Sequence, residues 1–161
     1  MRGRGERGFS LVEVALALGL LAGVLIAISG LFVVGAKQVK SGRTSSEALA
    51  VAKEIQEEML AWGYSQIWTA LGYDGQAASY TVDSRTNAAC AIWQSTLASK
   101  LGPSAFATIQ ISSVANASGV SGNFADGAGN ILAKNVRVGV TVSWTEVPGR
   151  ARSVTVGTTR N

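Results

Sequence analysis

The sequence predicts an α+β protein in which one long N-terminal α-helix lies on a small antiparallel β-sheet head. Three observations carry this. Residues 14–36 are 23 positions without a charge. At ~1.5 Å rise per residue such a helix spans ~35 Å, enough to cross a ~30 Å hydrocarbon core. Ala48, Ala52, Ile55, Met59 and Trp62 then recur at helical spacing as one apolar stripe. Finally, residues 136–144 and 152–158 alternate apolar and polar around the turn-forming Glu146-Val147-Pro148-Gly149-Arg150. That is the pattern of a hairpin with one apolar face.

The 161 residues suit one domain plus an anchor. Hydrophobic residues make up 47% and charged residues 15%, lean for a purely soluble chain. The net charge of +4 divides evenly. Arg2, Arg4 and Arg7 against Glu6 put +2 on residues 1–8, and eleven basic against nine acidic residues put +2 on the remainder. No dense Lys/Arg block marks a nucleic-acid footprint. There is no histidine, hence neither the commonest general base nor the commonest transition-metal ligand. The single cysteine, Cys90, excludes an intramolecular disulfide.

The organising stretch is Gly8-Phe9-Ser10-Leu11-Val12-Glu13-Val14. Glu13 sits just inside the apolar run, and a carboxylate there is costly unless it has a partner. A free amine made by cutting after Gly8 would supply one. A secretory signal peptide has a 7–15-residue apolar core and is discarded whole, whereas this apolar run is longer and its basic lead-in is only eight residues. The string GFSLVEV resembles the type III signal of type IV prepilins and type II secretion pseudopilins. Those have a glycine before the cut, a phenylalanine or methionine after it, and a glutamate five residues into the mature chain. The competing reading is a plain signal anchor in which Glu13 is incidental.

The resemblance implies a pilin-like fold, cleavage after Gly8 by a prepilin peptidase, and N-methylation of the new amine on Phe9. It also implies that Glu13 faces the Phe9 amine of a neighbouring subunit. Such a pair attracts strongly but costs desolvation, so it acts as a register device more than a source of stability. The expected segments are a leader (1–8), a membrane- and filament-core half-helix (9–36), an amphipathic half-helix (37–62) and a globular head (63–161). The positive leader keeps the N-terminus cytoplasmic and sends the rest outward. The expected location is the cytoplasmic (inner) membrane, single-pass, then a pilus or pseudopilus at the periplasm or cell surface. Gly19 and Gly23 form a G-xxx-G that permits close helix approach, or are ordinary membrane-helix glycines. Gly30 falls where major pilins often carry a proline. Glycine costs ~1 kcal/mol in a helix against ~3 for proline, so any local melting there should be weaker.

Beyond residue 36 the chain turns polar, with Lys37 and Lys40 able to snorkel at the membrane boundary. The stripe leads to Gly63, the expected helix stop, for a helix of about 80 Å. In the head, Tyr80-Thr81-Val82 reads as a short strand. Asn87 caps a helix reaching Leu101, closed by Gly102-Pro103, with an extended reading of 91–94 as the competitor. Residues 107–112 alternate as a strand, and 115–130 read as a surface loop. The hairpin's apolar face needs a cover, and the helix stripe is available. A subgroup of minor pilins and pseudopilins ends similarly, in a valine-rich strand closing on tryptophan, a Gly-Arg turn and a last strand. Here these are VRVGVTVSW, PGRAR and SVTVGTT. The missing disulfide favours such a minor subunit over a major pilin.

Other residues invite sharper readings. Cys90 lacks the base a nucleophile needs, so a buried structural thiol is expected. Trp62, Trp68, Trp93 and Trp144, with Tyr64 and Tyr73, have the ring chemistry to stack on nucleobases. Trp144 either closes an apolar strand or points out opposite the valines. Asp74, Asp83 and Asp126 lack the closely spaced oxygen ligands of a calcium loop. The glycine-rich 127–130 has no following lysine and helix to cradle phosphate. The sequence thus predicts a structural subunit, not an enzyme, with no catalytic residue, metal or cofactor. Its partners are the prepilin peptidase, other pilin or pseudopilin subunits and the inner membrane. The alternatives are a filament-tip binding module, either a DNA-uptake receptor contacting DNA or an adhesin, and a signal-anchored membrane protein of other activity.

Overall fold

The computed structural model describes residues 9–74, 77–114, 122, 124, 135–147 and 149–160. Helix α1 runs Leu11–Ala61 without a break, through Gly19, Gly23, Gly30, Gly35 and Gly42. Short α2 (Gln66–Thr69), β1 (Ser79–Asp83), α3 (Ala91–Leu101), β2 (Phe106–Ser113), β3 (Val136–Val147) and β4 (Arg150–Arg160) follow. The chain divides into two units, Met1–Ser41 and Gly42–Asn161. In the first, every described residue from Phe9 to Lys40 is exposed. Its hydroxyl Ser29 Oγ donates to the Leu25 carbonyl at 2.8 Å, which hides a polar group within an apolar stretch.

The second unit is the head, in which the last turns of α1 pack on a four-stranded antiparallel sheet of order β1-β2-β3-β4. The buried stripe of α1 is Ala48, Val51, Ala52, Ile55 and Met59. The predicted stripe is correct except that Val51 joins it and Trp62 lies just past the helix end, half-buried. Register aligns the sheet's inner face into rows. Val82, Ile109, Val140 and Val156 form one, and Tyr80, Ile111, Val138 and Thr158 the next. Val136, Val138, Val140, Val142 and Trp144 are all buried, so Trp144 continues the valine face and does not point away.

The β3–β4 hairpin is longer than expected, because Gly149 at φ +90° lets the strands turn tightly. The helix expected at 87–101 forms. Asn87 Oδ1 accepts from the Ala89 amide at 2.9 Å, a 3₁₀ turn covers Ala88–Cys90, and α3 carries on to Leu101. Gly102, at φ +97°, ends it. The extended alternative for 91–94 is therefore incorrect. Buried Ser84 joins β1, α3 and β2. Its amide donates to the Ala107 carbonyl, its hydroxyl accepts from the Ala107 amide and donates to Gln94 Oε1 at 2.6 Å, and Gln94 Nε2 donates to the Ala105 carbonyl.

Most of the expected 115–130 loop, with Asp126 and the glycine-rich 127–130, lies outside the described residues. Phe124, which belongs to that loop, is fully buried and stacks on Trp68 with ring centroids 5.3 Å apart.

Candidate functional site

The predicted site residues fall at the start of α1, apart from Gly8, which with residues 1–7 lies outside the described residues. Phe9 is 81% exposed and precedes the helix. Ser10 is the residue that starts the helix. Its carbonyl accepts from the Glu13 and Val14 amides at 3.0 and 3.2 Å, and its Oγ accepts from the Val12 amide at 3.3 Å. These bonds satisfy amides that would otherwise have no partner at a helix N-terminus. Glu13 occupies the first turn, where the helix dipole favours an anion. The signal for Ser10 is the capping-box spacing Ser10-Leu-Val-Glu13, which the sequence reading passed over. Glu13 is exposed and, among the described residues, has no ion-pair partner.

Among the described residues nothing requires glycine along the apolar half of α1. A Cβ built at Gly19, Gly23 or Gly30 meets no atom within 4 Å. Of the large apolar side chains there, Leu16, Leu20, Ile26, Leu31 and Phe32 are 60–75% exposed. By length and composition α1 is able to cross a membrane. Exposed apolar surface of this extent commonly marks contact with a membrane or with another protein.

In the head, the aromatic residues face one another. Trp62 stacks on Trp93 at 5.7 Å, Tyr73 on Tyr80 at 4.3 Å, and Trp68 lies between Tyr64 and Phe124. Trp68, Trp93 and Trp144 are at most 5% exposed, so their ring faces are committed to the core. Trp93 Nε1 donates to Glu58 Oε2 at 2.6 Å. A depression of about 370 Å³ beside Trp62 is lined by Gln66, Thr69 and Ala70. Cys90 is fully buried, and burial, reinforced by the Asp83 carboxylate, pushes its thiol up to about 11. Such a thiol is inert at neutral pH. Asp83 is bound by Arg85 at 2.5 Å, which holds its carboxyl below the usual range. Among the described residues no group of three or more His, Cys, Asp and Glu converges.

Comparison with family models, with curated proteins and with solved structures returns no match for this chain.

Proposed function

We propose that this chain is a prepilin-like structural subunit, of the minor-pilin or minor-pseudopilin kind. On this reading a prepilin peptidase removes residues 1–8 and methylates Phe9, and α1 then passes from the membrane into the core of a filament. The single observation that carries the reading is α1 itself. Its apolar half is wholly exposed, with Glu13 in a capped first turn, and the same helix continues unbroken into a head closed over its second half. The first-turn position suits an anion in any helix, but a carboxylate at the edge of a membrane-length apolar run is costly without a partner, and a packed filament offers it an amine. Gly19 and Gly23, where an added Cβ would meet no described atom within 4 Å, allow neighbouring helices to approach closely.

The experiment is fractionation of cells that possess the assembly machinery. The chain is expected in the sheared filament fraction, and only in the membrane once the prepilin peptidase is deleted. Confinement to the membrane in both strains would contradict the reading.

A further inference from the structure

The sheet has two outer edges, β1 and β4, and the register says which backbone groups each one shows. In an antiparallel pair a residue directs its N–H and C=O to the same neighbouring strand, and the direction alternates along the chain. The Ser113 amide donates to the Ala78 carbonyl at 2.9 Å, so Tyr80 and Val82 bond β2 while Ser79 and Thr81 turn their backbone groups away from the sheet. The Val114 amide donates to the Asn135 carbonyl at 2.9 Å, so Val138, Val140 and Val142 bond β4. Their partners there are Thr158, Val156 and Val154. The backbone groups of Ser153, Thr155, Gly157 and Thr159 therefore point out of the far side of β4. Among the described residues no backbone group bonds to them.

Proteins guard a long sheet edge with charge, proline, a bulge or a cover. Strand β4 is 11 residues long, yet its centre, Ser153–Thr159, has neither charge nor proline. The register shift lies elsewhere, on β3 between Thr145 and Val147. The arginines that flank the centre are engaged. Arg152 lies 3.4 Å from Glu146, and Arg160 bonds the Leu60 and Trp62 carbonyls. The inner apolar face is also unfinished at both edges. Val154 and Val156 on β4 and Tyr80 on β1 pack on the core yet stay partly open.

We propose that the β4 edge of one copy pairs antiparallel with the β1 edge of a second copy, so that the sheet continues from head to head. Thr155 of one copy lies opposite Thr81 of the next. That register sets Val154 beside Val82 and Val156 beside Tyr80, and it closes the inner apolar face across the joint. The topology selects this occupant. Two β4 edges related by a two-fold axis would either run their α1 helices antiparallel or place them on opposite faces of the sheet. Copies anchored in one membrane do neither. Strands β1 and β4 run in opposite directions within one sheet. Copies in the same orientation therefore present these edges to each other antiparallel, with every α1 stripe on the same side of the joined sheet. No sheet comes between successive helices. Four strands at ~4.8 Å set adjacent heads ~19 Å apart, a spacing suited to heads that surround a core of helices packed at about 8–10 Å. The contact is heterologous and propagates from copy to copy. This inference rests on the proposed filament for the common orientation of the copies and names the neighbour's surface within it.

The test uses the full chain in the cells that assemble it, with Thr81→Cys and Thr155→Cys combined and a mild oxidant added. Within one sheet these positions are three strand spacings, ~14 Å, apart, beyond the ~7 Å that a disulfide spans. A bond between them therefore joins two copies. Non-reducing gels are expected to show a ladder of dimer, trimer and larger species for the double variant, and monomer for each single variant. Ser153→Pro, added to the pair, is expected to remove the ladder while the thermal unfolding midpoint stays within a few degrees, because the amide it deletes faces out of the sheet. Ser153→Lys, which keeps the amide and puts a charge on the edge, is expected to weaken the ladder in the same way. Monomer or dimer alone from the double variant, a dimer from Thr155→Cys alone, a bond only to a different protein, or a ladder undiminished by both Ser153 variants overturns the contact. The N-terminus of the same sample decides the filament reading separately. Processing at Phe9 without the ladder leaves that reading standing and removes the contact, and a ladder on unprocessed chain sustains the contact while removing the reading.

Discussion

Arg160 closes the head onto Trp62: its Nη1 donates to the Trp62 carbonyl at 2.6 Å and to the Leu60 carbonyl at 3.0 Å. The last carbonyls of a helix lack intrahelical partners and carry the negative end of its dipole. A guanidinium there satisfies them and is favoured by the field. The contact joins the end of β4 to the end of α1, 98 residues apart.

Arg160→Met should therefore lower the stability of the head by about 1.5–3 kcal/mol, the range for hydrogen bonds to a charged group. Arg160→Lys should recover part of it. Denaturant unfolding of the detergent-solubilised chain checks this, and an unchanged midpoint in Arg160→Met would contradict it.

Trp93 is the side chain that joins α3 to α1, through its stack on Trp62 and its bond to Glu58. Trp93→Ala should cost about 3–5 kcal/mol. Glu58→Ala should cost less, about 1 kcal/mol, since the ring stays packed and the half-exposed edge of the site admits water. Equal losses in the two variants would show that the hydrogen bond, not the packing, holds this corner.

Cys90 gives the head an alkaline limit. Its thiol is raised from 9.0 to about 11 in the folded chain. A raised folded-state value means stability is complete below the unfolded value and is lost as pH climbs through the folded one. Between pH 9 and 11 the wild type should lose about 2–3 kcal/mol. Cys90→Ala should start lower, because of the cavity, but lack this slope below pH 10. Tyr64, also raised by burial against the opposing pull of Arg160, adds its own loss only above its ordinary 10.0. Parallel pH profiles for the two chains would refute the assignment.

Much of this fold was legible in residue spacing. The α1 stripe, the Asn87 cap, the Gly102 stop and the valine strands each obey a local period or a local backbone rule. What escaped depends on partners distant in the chain. Phe124 lies in a stretch rich in glycine, serine, alanine and asparagine, and nothing local marks it as the ring that stacks on Trp68. Arg160 ends a strand and gives no local hint that it caps a helix. Trp144 was ambiguous because parity alone cannot say whether a strand's last residue stays in register, and pairing with Arg152 settles it. At the candidate site Glu13 was legible as a charge out of place, and Ser10 was legible in principle through its capping spacing.

Glu13→Ala should leave cleavage after Gly8 intact and deplete the chain from assembled filaments, because in the proposed function the carboxylate serves the neighbour's amine and not the peptidase. Immunoblots of sheared and membrane fractions read this directly. Wild-type levels of assembled protein in the variant would count against a register role.

The central claim is settled most directly by the intact mass and N-terminal sequence of the protein recovered from cells that hold the processing peptidase. The account predicts a chain that begins at Phe9 with a methylated amine. A chain that still begins at Met1 would contradict it and leave an ordinary tethered domain.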